Sequence, residues 1–244
     1  MTPNREIKRI ARENLNGHYM NFVPAQLIVS LLPSLVLLPF SLLLPGTMSL
    51  LQSLIFLLAY IIVFLLSVVL SAGYLFLHLC VARQKAYRFA DLFRCFRERP
   101  DSYLLGTLLL LLYLLPFILA AALVLGLSIV FGSQTENPLL IVLGVIVYIV
   151  ILIFMIMFSL YYAMYLPILV DDPNQSVRAA LKESRRIMTG RRKQLFLLYL
   201  SFIGWYLLGL LSLAIGFLWI YPYILQSFVV FYQDASGQSS FAQP

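Results

Sequence analysis

The stretch SLLQSLIFLLAYIIVFLLSVVLSAGYLFLHLCV, residues 49–81, indicates the structural class of this chain. It contains no Asp, Glu, Lys or Arg, and neither does any other position from 14 to 82. About 20 consecutive apolar residues already match the roughly 30 Å hydrocarbon core of a bilayer. In lipid the backbone must satisfy its own hydrogen bonds, so such a run forms a helix. The stretch therefore predicts a transmembrane helix that is longer than a bilayer needs, and that tilts or projects from it at one end.

Similar apolar runs occur along the rest of the chain. They cover residues 21–44, 103–131, 139–170 and 195–232. The 244 residues are 62% hydrophobic and only 11% charged, whereas a soluble domain carries about 25% charged residues. The ten-residue alternating segments of a transmembrane β-barrel are not apparent. The sequence therefore predicts an all-α polytopic membrane protein with one integral membrane domain over residues 1–244.

The last apolar run is too long for one span, because a single helix over 195–232 would be about 57 Å long. Gly216 and Pro222 offer a break. We therefore predict two short spans, 195–215 and 217–232, which gives six transmembrane helices in all. The alternative is five, with the final segment lying on the outer surface. In the first span, Pro24, Pro33 and Pro39 predict a kinked or broken helix.

The positive charges predict the topology. All 17 Lys and Arg residues fall in three clusters, Arg5–Arg12, Arg83–Arg99 and Arg178–Lys193. Since cytoplasmic loops collect basic residues, we expect the N-terminus in the cytoplasm and the turns 44–47 and 132–138 outside. Six spans would return the polar tail 234–244 to the cytoplasm. The net charge of +7 is then explained by the membrane rather than by nucleic acid, and anionic lipids are expected partners.

Each basic cluster has the pattern of a short amphipathic helix that precedes a pair of spans. The shared faces are Ile7, Ile10, Ala11 and Leu15; Phe89, Leu92, Phe93 and Phe96; and Val177, Ala180, Leu181, Ser184 and Met188. Gly17 and Gly190 are placed to end the first and third of these cytoplasmic helices, and Asp172-Pro173 to begin the third. The chain thus shows a weak threefold pattern with units 1–82, 83–170 and 171–244.

The inventory of catalytic and metal-binding groups is thin. We interpret His18 and His78 as interfacial polar residues. The adjacent Asp171 and Asp172 could serve a metal or acid-base site, but helix termination and capping is the favoured interpretation. Cys80 and Cys95 lie near the second basic cluster, on the reducing side, where a disulfide is not expected. We predict no catalytic residues, no metal site and no cofactor.

Two sets of residues are candidate binding sites. The first is the densest charge, Arg185, Arg186, Arg191, Arg192 and Lys193, which is either a topology determinant or a docking site for lipid headgroups or a partner. The second is a polar seam between helices. Its proposed members are Tyr161, Tyr165, Ser201 and Gln226.

The C-terminal third carries a family resemblance. The runs YLPILVDDP at 165–173, ALKES at 180–184, MTG at 188–190 and LSFIGW at 200–205 are followed by WIYPY at 219–223. Together they resemble the bacterial integral-membrane family catalogued as domain of unknown function 975. A more distant similarity is to the membrane domain attached to some glycerophosphodiester phosphodiesterases. The resemblance implies a multi-pass protein of the bacterial inner membrane and no catalytic residues.

These observations favour a non-enzymatic accessory protein of an export, immunity or lipid-related envelope system, acting beside a membrane protein partner or a second copy of itself. A carrier or flippase for a lipid or amphipathic peptide is the alternative, with a groove along the polar seam. A membrane enzyme acting on a lipid phosphate through His78 or the Asp171–Asp172 pair is the third hypothesis.

Overall fold

The structure is a computed structural model that describes residues 2–43 and 49–238, without the side chains of residue 37 and residues 39–43. The predicted turn at 44–47 and most of the predicted tail 234–244 therefore lie outside the described residues. Within them the regular elements are helices. In chain order these are α1 (Asn4–Leu15), α2 (Tyr19–Leu43), α3 (Leu50–Ala82), α4 (Pro100–Gln134), α5 (Pro138–Ser159), α6 (Tyr165–Asp171), α7 (Val177–Met188), α8 (Arg192–Leu200), α9 (Ile203–Leu211) and α10 (Phe217–Ser236).

Five helical segments of the described residues are long and apolar enough to cross a membrane. They are Tyr19–Val36, Leu50–Ala82, Pro100–Gln134, Pro138–Asp171 and Arg192–Leu211. The predicted all-α polytopic class is thus confirmed, and five of the described segments qualify as spans by length and composition. The preferred sixth span, 217–232, lies within α10, which is not among the five.

α10 differs from the other long helices because protein surrounds it. Its residues from Ile220 to Asp234 are mostly buried, and it packs on α1, α2, α3 and α9. It also returns the chain to the end where the described residues begin, since the hydroxyl of Thr2 donates to Asp234 over 2.5 Å. A helix covered by its neighbours can carry Tyr, Gln and Asp side chains that a lipid-facing helix could not. Its polar content is therefore compatible with a central position.

The molecule has one end with a buried core and another end with exposed apolar side chains. Along α3, Leu58 is 60% exposed whereas Leu70 and Leu77 are each 1% exposed. The buried core joins the C-terminal part of α3 to α1, α6, α7 and α10, and we call this half the basic end. The remaining parts of α2 to α5 and α9 form hairpins with exposed apolar flanks. Such flanks suit contact with lipid, and the projection predicted for the long second span corresponds to the core-forming part of α3.

The first amphipathic helix is confirmed. Ile7, Ile10, Ala11 and Leu15 are the buried residues of α1, which packs along α10. Gly17 follows with a φ of 81°, a left-handed conformation that glycine adopts without strain. The periodicity therefore identified both the buried face and the end of this helix.

The second amphipathic segment is not an α-helix, which corrects the prediction. Residues Phe89–Phe96 form a 3₁₀ helix that packs on α3. Its buried residues are Leu92 and Cys95, while Phe89 and Phe93 are exposed. In a 3₁₀ helix, side chains three residues apart lie above one another, so the buried stripe follows that spacing and excludes the predicted Phe93.

For the third amphipathic helix, α7, the predicted buried face is confirmed, but the predicted first residues of the helix are wrong. Ala180, Leu181, Ser184 and Met188 are buried, and Gly190 has a φ of 83°. The N-cap, however, is Ser176, whose side chain accepts from the amide of Ala179. Asp172 instead accepts from the amide of Asn174 and so forms a local turn before the helix.

Helix breaks also differ from the predicted ones. α2 runs unbroken through Pro24 and Pro33. The predicted span 139–170 is interrupted after Ser159 by the 3₁₀ turn Leu160–Tyr162. The predicted span 195–215 is interrupted at Ser201–Phe202. The break expected near Gly216 is present as a turn in which Leu213 and Ala214 have φ of 52° and 67°. The threefold pattern of units stays a prediction.

Candidate functional site

The predicted arginine cluster lies at the basic end, around α7 and the start of α8. The buried apolar face of α7 fixes the helix on α6 and the core. This leaves Arg185 and Arg186 exposed, and we call the surface formed by these two residues the α7 face. Lys193, near the start of α8, is also exposed. Arg186 is 76% exposed and forms an ion pair with Glu183 over 2.6 Å. The fold therefore presents part of the cluster to the surroundings.

Arg191 is turned inward, unlike Arg185, Arg186 and Lys193. Its guanidinium lies 2.6 Å from the Asp234 carboxylate, and the side chains are only 21% and 5% exposed. Burial raises the pKa of Asp234, but hydrogen bonds from Thr2 and Arg191 outweigh this, and the pKa lies below its ordinary value of 3.8. Asp234 was assigned to a polar tail, which is wrong because it belongs to the end of α10. Arg191 thus stabilises the core and is not free for docking.

A second inward ion pair ties α3 to α6. Arg83 donates to both oxygens of Asp171, one over 2.7 Å. The same carboxylate accepts from the hydroxyl of Tyr232 and from the side-chain amide of Gln238. Asp171 and Asp172 therefore have different partners and do not form one acid-base or metal pair. Sequence reasoning missed the two pairs Arg83–Asp171 and Arg191–Asp234, although carboxylates at the ends of apolar helices were a usable signal.

Tyr161 belongs with the arginines rather than with a polar seam. The guanidinium of Arg192 lies 3.7 Å from the centroid of its ring, and that of Arg185 lies 5.7 Å away. Both are cation–π distances. The ring thus sits between α7 and α8 and holds two arginines of the predicted cluster in a fixed arrangement.

The other three proposed seam residues have separate partners. The hydroxyl of Tyr165 bonds Thr107 over 3.0 Å. Ser201 donates to the carbonyl oxygen of Leu198, and Gln226 bonds His78. No hydrogen bond or ring contact joins any two of these four described residues. The structure therefore does not bring them together as one seam.

His78 is a core residue, which corrects its interpretation as interfacial. It is fully buried, and its Nδ1 lies 2.6 Å from Oε1 of Gln226. Its ring lies 4.2 Å from that of Phe22 and 4.8 Å from that of Tyr74, between ring centroids. The Nε2 atoms of both His78 and Gln226 are buried without a partner. The pair joins α3 to α10, and its remaining polar atoms face a closed aromatic environment.

His18 lies at the surface of the basic end and bonds the hydroxyl of Tyr87 over 2.9 Å. Cys80 and Cys95 are both buried and free. Within residues 2–43 and 49–238, no group of three or more His, Cys, Asp or Glu is arranged to hold a metal ion.

The helices and the basic end define an all-helical, polytopic membrane protein. The family model described as "protein of unknown function (DUF975)" matches residues 1–239, and the chain belongs to this family. No curated protein and no solved structure matches the chain, so the likeness to the membrane domain of glycerophosphodiester phosphodiesterases is not shown.

Proposed function

We propose that this chain is a non-enzymatic accessory protein of the bacterial cytoplasmic membrane, with its N-terminus in the cytoplasm. In this role it docks a membrane or envelope partner through the α7 face. The supporting observation is that the third basic cluster contains both an inward-facing arginine and exposed arginines. Arg191 is tied inward to Asp234, whereas Arg185 and Arg186 are exposed on a helix whose other face is anchored in the core.

A fixed surface of positive charge suits recognition of an acidic partner. Because α7 is held by its buried face, its exposed cations need little ordering when a partner binds. Complementary charge also speeds encounter and selects among partners. The pair Arg83–Asp171 joins α3 to α6, and the pair Arg191–Asp234 joins the start of α8 to α10. Since α7 packs on α6 and α10, these pairs stabilise the elements that hold it.

The test compares two variants that lose equal charge. Arg185→Gln/Arg186→Gln alters the α7 face, and Arg97→Gln/Arg99→Gln removes two exposed cations from the second cluster. Each protein is purified gently from native membranes and measured by native mass spectrometry. We expect a stoichiometric partner with the starting protein and the control, and its loss from the α7 variant. Equal retention by both variants would contradict docking through this face.

A carrier for a lipid or amphipathic peptide is the second candidate function. It is supported by a lateral apolar groove between α3 and α4, with a volume of about 300 Å³, lined by Phe64, Leu65, Val68, Leu104 and Leu108 among others. This groove differs from the one expected along Tyr161 and Gln226. Reconstitution into liposomes tests the idea, since a carrier would move a fluorescent lipid between leaflets and an accessory protein would not.

A further inference from the structure

A cationic groove lies between α1, α8, α9 and α10, and neither Arg185 nor Arg186 of the α7 face lines it. It has a volume of about 480 Å³, and its walls include Arg5, Lys8, Arg12, Ser201, Trp205 and Tyr223. We call it the α1 groove. Its size falls in the range of about 300–1,000 Å³ that is typical of sites for small ligands.

The positive charge of this groove is poorly neutralised by the protein. Arg5, Lys8 and Arg12 are three and four residues apart, so they lie on one side of α1, where like charges repel. The described residues that line the groove include no acidic side chain. Arg9 also lines the groove, but its charge is matched by Glu6 and Glu13. The positive charges of Arg5, Lys8 and Arg12 therefore remain available to an anionic ligand.

Lys8 and Arg12 are held in place by neutral groups. The Lys8 ammonium donates to the carbonyl oxygen of Ser201 over 2.9 Å, at the break between α8 and α9. It also lies 4.2 Å from the centroid of the Phe202 ring. The guanidinium of Arg12 lies 5.7 Å from the ring centroid of Tyr223. Partial burial, and to a lesser extent the charge of Arg12, hold the pKa of Lys8 below its ordinary value. An anion bound in the groove would raise this pKa.

The opposite wall of the groove belongs to a candidate membrane span. Ser201 and Trp205 lie within Arg192–Leu211. Three residues beyond Trp205, and so on the same side of α9, Leu208 is 57% exposed. Trp and Tyr are enriched where membrane proteins pass the headgroup level. The α1 groove thus opens from a cluster of cations onto a surface suited to acyl chains.

We propose that the α1 groove binds the phosphate of an anionic membrane lipid, with the acyl chains lying along α9. Arg and Lys together suit this ligand, because guanidinium groups bind phosphate oxygens in a fork and ammonium groups act as point charges. A lipid is favoured over a free phosphate ion because the groove continues into exposed apolar surface. The proposal goes beyond partner docking, since it concerns other residues and another ligand.

Trp205 provides the measurement. The chain has two tryptophans, so Trp219→Phe leaves Trp205 as the sole reporter in the groove wall. The protein is placed in phosphatidylcholine nanodiscs, and lipids with brominated acyl chains are added as either phosphatidylglycerol or phosphatidylcholine. We expect half-maximal quenching at an anionic-lipid fraction about tenfold lower than that of the zwitterionic lipid. Equal quenching by the two lipids would overturn the proposal.

Matched variants assign the preference to the groove. In the Trp219→Phe protein, Arg5→Gln/Arg12→Gln should remove the preference for phosphatidylglycerol, while Arg97→Gln/Arg99→Gln should keep it. An unchanged preference in the first variant would contradict the assignment. Thermal melting verifies that each variant is folded. If the double variant does not fold, Arg5→Gln alone is used instead, because Arg5 is exposed. This single variant must weaken the preference for phosphatidylglycerol.

A separate arm distinguishes the lipid from free phosphate. Excess inorganic phosphate should leave the quenching by brominated phosphatidylglycerol unchanged, and recovery of the fluorescence would show that the groove takes the free ion instead. The partner experiment uses Arg185 and Arg186, so failure of either proposal leaves the other standing.

Discussion

Asp234 shows how one carboxylate can hold distant parts of the chain together. Asp234 lies near the end of α10, Arg191 precedes α8, and Thr2 donates to the same carboxylate. Removing one partner of a largely buried ion pair leaves the other charge uncompensated. The sequence placed Arg191 in a docking cluster because hydropathy and charge spacing do not reveal a partner 43 residues away.

Replacing Asp234 should therefore destabilise the protein. We expect Asp234→Asn to lower the free energy of unfolding by about 3 kcal/mol. The exposed pair partner Glu183 is the control, and Glu183→Gln should cost under about 1 kcal/mol. Thermal melting in detergent measures both. Equal and small effects would mean that the Arg191–Asp234 pair does not hold the basic end together.

The same carboxylate predicts a dependence on pH. Because the pKa of Asp234 is lowered in the fold, its stabilisation is complete above the ordinary Asp pKa and is lost as the pH falls through the lowered value. Melting temperatures of the Asp234→Asn protein should therefore depend less on pH below 3.8 than those of the starting protein. Parallel pH profiles would contradict this.

The His78–Gln226 pair predicts non-additive substitutions. Either His78→Leu or Gln226→Leu alone strands a buried polar group, which costs about 1–3 kcal/mol. The double variant removes both groups, so its loss of stability should be smaller than the sum of the two single losses. A double-mutant cycle of unfolding free energies measures this, and additivity would mean that the 2.6 Å contact is energetically unimportant.

At the scale of elements, the amphipathic faces of α1 and α7 could be predicted because 3.6-residue periodicity depends on burial of one face. The 3₁₀ segment Phe89–Phe96 could not, because its form depends on contact with α3. The contact is close. A Cβ at Gly73 would lie 1.8 Å from the carbonyl oxygen of Leu92. Gly73 therefore sets the distance between α3 and this segment.

Gly73→Ala should force these two elements apart. We expect a loss of about 2 kcal/mol, typical of overpacking, seen as a lower melting temperature. Gly126→Ala is the matched control, because a Cβ at Gly126 meets nothing within 4 Å, and alanine favours a helix. If both variants melt alike, the 3₁₀ segment is not fixed by close packing on α3.

Pro24 and Pro33 illustrate a limit of element prediction. Proline removes a helical hydrogen bond and crowds the preceding turn, yet α2 continues through both. Its neighbours α3 and α10 pack along it, and such packing can compensate for the lost bonds. The breaks at Ser159 and Ser201 had no comparable sequence signal, since each falls within a continuous apolar run.

For the whole molecule, composition and charge spacing were enough to predict a helical membrane protein. The position of α10 could not be predicted in the same way. Hydropathy ranks a helix by its own side chains, whereas α10 is covered by α1, α2 and α3. The contact between Thr2 and Asp234 places these two residues on the same side of the membrane, so the chain between them should cross it an even number of times.

We expect the three basic clusters to face one side of the membrane and the α4–α5 turn to face the other. Single cysteines at Arg5, Arg97, Arg178 and Glu136, in a protein with Cys80 and Cys95 replaced by alanine, report the side on which each position lies. Intact cells are treated with a membrane-impermeant maleimide. Glu136→Cys alone should be labelled in intact cells, whereas Arg5→Cys, Arg97→Cys and Arg178→Cys should be labelled only after permeabilisation. Labelling of any of these three positions in intact cells would contradict this expectation.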